Sequence, residues 1–129
     1  MMHVVLGAFL VAHGLVHAIY VGHARRLFEV APRLTWPDGA WLLSRLVGDA
    51  GTRATVAILF SLVAVGFATA GIAIAMRQPW WAPVAVSAAG LSACVVVSAW
   101  DGRPRLLGEQ GAYALLIDAA IVGLGVVAP

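Results

Sequence analysis

Apolar residues fall into four long runs along this chain, at 4–22, 54–76, 81–100 and 112–128, separated by stretches that carry most of its arginine, proline and tryptophan. A helix rises about 1.5 Å per residue, so each run crosses most or all of a hydrocarbon layer about 30 Å thick, the fourth being short at roughly 25 Å. Backbone amides and carbonyls in lipid have no water to bond, so such runs must be helical. Their even spread of apolar side chains also lacks the two-residue alternation of a barrel strand. The pattern predicts an all-α membrane protein, a single domain over 1–129 built as a four-transmembrane-helix bundle.

The segment 23–53 is the one sizeable connection, broken by Pro32, Pro37 and Gly39. Within it, 40–47 places Leu42, Leu43, Leu46 and Val47 on one helical face, which predicts a short interfacial helix with Arg45 reaching the headgroups; an irregular loop is the alternative. Trp36, Trp41, Trp80, Trp81 and Trp100 all lie in connections or at run ends, as an aromatic belt at headgroup level requires. Small residues recur every four positions at Gly14, Ala18 and Gly22, at Gly66 and Ala70, at Gly90, Cys94 and Ser98, and at Ala119 and Gly123. Such rows let helix backbones approach closely.

Composition agrees with lipid as the outer solvent. The chain is 62% hydrophobic and 11% charged, whereas a soluble domain carries about 25% charged residues. Its net charge of +2 is too small to argue for nucleic acid. All eight basic residues are arginine, which together with the Ala, Val and Gly content suggests a bacterial source and hence the inner membrane. Arg25, Arg26, Arg33, Arg45, Arg53, Arg103 and Arg105 lie in the first and third connections, against Arg77 alone in the second. The positive-inside bias then puts those two connections in the cytoplasm and both termini outside. The first run lacks a basic leader and a clear cleavage site, so it is expected to be retained as a helix rather than removed as a signal peptide. Cys94 is the single cysteine and has no internal disulfide partner.

Candidate chemistry lies inside the runs. His13 and His17 are one turn apart on a stripe that also holds His3, Leu6, Leu10 and Tyr20. Counting residues from the arginine-rich side puts His17 about 7–8 Å deep, Asp118 and Cys94 about 9 Å, and His13 roughly 13 Å, so the four can converge on an interior face. An acid at the centre of a membrane helix costs about 3 kcal/mol, close to what the apolar residues of 112–128 return, so the fourth helix needs partners that solvate Asp118. His13, His17 and Asp118 are therefore the expected polar core. Three readings follow: hydrogen bonds that fix the bundle, a proton relay or small-solute path in an oligomer, or an intramembrane site using His13, His17, Asp118 and Cys94 for a metal ion. Haem is the remaining cofactor to weigh. Bis-histidine ligation within one chain is ruled out by the confinement of all four histidines to helix one and its end, which leaves a homodimer or a single axial histidine.

The run Ala12-His13-Gly14-Leu15-Val16-His17, the pair Trp80-Trp81 opening the third helix and Trp100-Asp101 closing it resemble a group of small four-helix bacterial membrane proteins, some of which carry default permease-like labels. The resemblance implies the four-helix layout and directs attention to His13, His17 and Asp101; it implies no reaction. There is no phosphate loop, nucleophile elbow or zinc-protease His-Glu-x-x-His. Trp100, Asp101, Arg103 and Arg105 read as an interfacial anchor to headgroups, and His3 and His23 as interface residues without a special role. The expectation is a non-catalytic accessory or structural subunit in contact with the bilayer, working beside a membrane-protein partner or as a homo-oligomer, with no cofactor assigned and a metal ion or haem as the alternatives.

Overall fold

The N-terminal run forms α1, Met2–Ala24, with no proline and no charged residue apart from histidine to interrupt it. It ends where Arg25 and Arg26 leave helical geometry, and Arg26 takes a left-handed φ of 60°. A side chain at positive φ is disfavoured. Here the cost is offset by the guanidinium, which donates to Thr35 O at 2.7 Å, Trp36 O at 3.3 Å and Asp38 Oδ2 at 2.8 Å. Those bonds fold the connection back beneath the end of α1.

The computed structural model describes residues 1–127, and the last residue of the fourth apolar run, Ala128, lies outside them. Among the described residues there are four α-helices and one 3-10 helix, with no strand. After α1 come α2, Leu43–Ala75; α3, Trp81–Ala99; the 3-10 helix Pro104–Gln110; and α4, Ala112–Val127. The first three α-helices are long and apolar enough to cross a membrane, and α4 is apolar but only 16 residues long.

Helix α2 starts well before the second apolar run. Its first turn, Leu43 to Val47, is set off by Gly48, whose φ of 70° and ψ of 173° break the helix at a corner. Only glycine occupies that region readily. Leu43 to Val47 is thus a single helical turn set off from the spanning helix by the kink at Gly48, with Arg45, Leu46 and Val47 exposed. Asp49 pins the corner: it accepts the Gly39 N–H at 2.9 Å, and this bond, with help from Ser44, holds its carboxyl below the ordinary range. A depressed carboxylate contributes stability that is complete above its unfolded value and is lost as pH falls through the folded one. Proteolysis of 39–48 should therefore be flat from neutral pH down to about 5 and rise only below the ordinary carboxylate range.

The helices pack in chain order, α1 on α2, α2 on α3 and α3 on α4. Glycine makes the first contact close. A Cβ at Gly7 would lie 2.5 Å from the Gly71 carbonyl oxygen, and one at Gly71 would lie 2.5 Å from that of Gly7. Gly14 meets the Ala64 backbone, and Gly66 meets Ala88. The small-residue rows expected on α3 and α4 do not act this way. Nothing lies within 4 Å of a Cβ at Gly90 or Gly123, and Cys94 is exposed. On α3 the inward face is instead Ala85, Ala88, Ala89, Ser92 and Ala99, since a single helix face cannot hold both rows.

Trp36 departs from the aromatic belt. It is 2% exposed, packed under the ends of α1 and α2 with its ring 5.4 Å from Tyr20, 6.2 Å from His23 and 6.1 Å from Phe60. The connection 23–42 thus has a small core of its own. Trp41 closes it against α3, its backbone N–H donating to Trp100 O at 2.8 Å and its indole to Val97 O at 2.7 Å.

Candidate functional site

The face of α1 carrying His13 and His17 looks into the bundle, where the two side chains rest on an aromatic floor from α2. The His13 ring centroid is 4.8 Å from that of Phe67, and the His17 centroid is 5.0 Å from that of Phe60. Four-residue spacing stacks the imidazoles one turn apart, 4.8 Å between centroids and nearly perpendicular. Both are buried, at 4% and 2% exposure.

Polar groups at this depth must find partners, and they find them on α3 and α4. His13 Nε2 lies 3.0 Å from Asp118 Oδ1. His17 Nδ1 lies 3.0 Å from the His13 carbonyl oxygen and His17 Nε2 lies 2.8 Å from Ser92 Oγ. A carbonyl only accepts, so His17 Nδ1 carries the proton, Nε2 keeps its lone pair, and the Ser92 hydroxyl donates to it. Asp118 Oδ2 is buried and without a hydrogen-bond partner among the described residues. Ligand atoms of His13, His17 and Asp118 lie within 4.8 Å of one another.

The closure between the first and last helices is made by side chains. Helices α1 and α4 do not pack closely backbone to backbone; the His13–Asp118 bond bridges them, and Tyr20 Oη donates to Glu109 O at 2.9 Å lower down. Between these links a cavity of about 10 Å³ opens against His17, lined also by Tyr20, Phe60, Val96 and Gln110. That volume is about one water.

The structure brings His13, His17 and Asp118 together and leaves Cys94 out. Ser92 points inward, and two residues further along a helix the side chain faces the other way, so Cys94 is exposed on the outer face of α3. Its place beside His17 belongs to Ser92, which sequence reasoning missed. Gln110, 2% exposed, was missed too; its Oε1 accepts the Asp101 N–H at 3.1 Å. Trp100, Asp101, Arg103 and Arg105 form a separate cluster at the end of α3, about 12 Å along the helix from Ser92. There Asp101 Oδ1 accepts the Arg103 N–H at 2.8 Å, and Arg105 is exposed. His3 is exposed, whereas His23 is fully buried against Trp36, with Nδ1 3.3 Å from Val30 N.

Comparison of this chain with protein-family models, with curated proteins and with solved structures finds no match. Chemically, the centre can tie three helices together, hold a proton between His13 and Asp118, or offer two nitrogens and a carboxylate oxygen to a metal ion.

Proposed function

We propose that this chain is a multi-pass component of a bacterial inner membrane, both termini outside, acting as a non-catalytic accessory or structural subunit whose His13–Asp118 and His17–Ser92 bonds lock α1, α3 and α4 together. The size of the cavity at the centre carries this reading: room for about one water leaves a substrate or transported solute no space beside the polar groups of a single chain. The seven arginines of the first and third connections support the orientation.

In a mild detergent, the wild-type chain should migrate as an assembly clearly larger than its 13.4 kDa protomer with bound detergent, and Asp118→Leu should release the protomer. A wild-type chain that runs only as a protomer overturns the subunit reading. Periplasmic reporters should be active at both termini; a silent one overturns the orientation.

A second reading has a specific observation behind it. Asp118 Oδ2 lacks a partner while three donors converge, and the anchoring of His17 Nδ1 on a carbonyl presents Nε2 as imidazole ligands are commonly presented. His13, His17 and Asp118 would then hold a first-row divalent ion, and Ser92 would turn away from His17. Metal analysis of purified wild type beside His13→Ala/His17→Ala decides it. One equivalent that the variant loses establishes the metal site, and equal trace content in both removes it.

A further inference from the structure

At the arginine-rich end of the bundle, α1 and α2 flank a groove of about 570 Å³. Its mouth holds two guanidinium groups. Arg25 follows the last residue of α1 and Arg53 immediately precedes the second apolar run, so both stand where hydrocarbon gives way to headgroups. Below them the walls are Val21 and Ala24 from α1 with Ala57, Ile58 and Leu62 from α2. The one hydroxyl in the wall, Ser61 Oγ, donates to Ala57 O at 2.7 Å and is spent on its own helix. The trough is therefore cationic at the mouth and apolar along its length.

The local charge is not neutralised within the chain. Among the described residues Asp38 is the one acid paired with Arg53, at 2.7 Å, and its single charge is shared with Arg26 at 2.8 Å. Arg25 is exposed, and its guanidinium makes no hydrogen bond or ion pair among the described residues. We propose that this groove binds an anionic phospholipid, its phosphate between Arg25 and Arg53 and one acyl chain laid along Val21, Ala57, Ile58 and Leu62. Guanidinium groups match phosphate oxygens in geometry and charge, and a basic mouth opening on an apolar interhelical trough is what such a lipid presents in reverse. The site depends on placement in a membrane and is independent of what the histidine centre does.

The test is native mass spectrometry of the full chain in detergent, titrated with dioleoyl phosphatidylglycerol or dioleoyl phosphatidylcholine. The wild type should retain one phosphatidylglycerol in clear preference to phosphatidylcholine. Arg25→Gln should reduce that preference about fivefold and Arg25→Gln/Arg53→Gln about thirtyfold, at about one arginine's worth of headgroup attraction each. Arg105→Gln, at the other basic cluster, should leave it unchanged. Equal retention of the two lipids, or a preference that survives the double variant with its helix content intact, overturns the site. Displacement of the bound lipid by excess inorganic phosphate also overturns it, in favour of a free-anion site. A chain that retains neither lipid fails the membrane placement itself.

Discussion

Gly71→Leu should separate α1 from α2 and lower stability by about 3 kcal/mol, at the upper end for overpacking. A Cβ at this position meets the Gly7 carbonyl oxygen at 2.5 Å and Val11 Cγ2 at 2.8 Å. The first of these is backbone and cannot swing aside, so the whole of α1 must move. Lipid supplies no hydrophobic drive between helices, and the close approach through these glycines is what gives α1 and α2 their dispersion contacts. Gly90→Leu is the matched control: nothing lies within 4 Å of its Cβ, and its effect should stay within about 0.5 kcal/mol. Unfolding in mixed micelles of rising sodium dodecyl sulfate, followed by tryptophan fluorescence, measures both. Equal midpoints for the two variants would show that α1 and α2 do not cross at Gly7 and Gly71.

The second large effect is a contrast between one substitution and two. Asp118→Leu leaves His13 Nε2 buried with no partner and should cost about 1–3 kcal/mol. His13→Leu alone strands the carboxyl and should cost at least as much. Replacing both by leucine removes the bond together with the burial of its two polar partners, so the double variant should unfold close to the wild type. The two single losses together should therefore exceed the loss in the double variant by at least about 2 kcal/mol, and that excess is the coupling the cycle reads. The same micellar unfolding reads it. Additive losses would mean that the two side chains do not meet, and the polar centre would dissolve as a unit.

Much of this fold was legible because lipid imposes simple rules. Apolar runs and the ban on unbonded backbone in hydrocarbon marked four helices, and the described residues hold four α-helices. The convergence of His13, His17 and Asp118 followed from their similar depth. Depth, however, is only one of two helical coordinates. Ser92 and Cys94 differ by only about 3 Å along α3, too little for counted depth to choose between them; which one faces His17 depends on rotation. That rotation is set by Ala85, Ala88, Ala89 and Ala99 packing inward, and an apolar helix shows no stripe in its sequence to reveal it. The same blindness chose Gly90 and Gly123 as packing positions when both face open space. Trp36 was misplaced for another reason. Its position in a connection suggested headgroups, but the bonds from Arg26 to Thr35, Trp36 and Asp38 roll the segment back under α1, and no pattern of residues announces that fold-back.

The bond from Asp118 to His13 also acts as a polar index mark for α4. The outer surface of α4 is mostly Leu, Val and Ala apart from Tyr113, and against α3 its close seat is steric, Gly125 under Val86. Its one acid has a partner at a single height and a single angle. A slide of one turn, about 5.4 Å, would carry the carboxyl away from the imidazole. Asp118 costs α4 insertion energy and in return removes the other seatings from competition, so that a short apolar helix docks in one register.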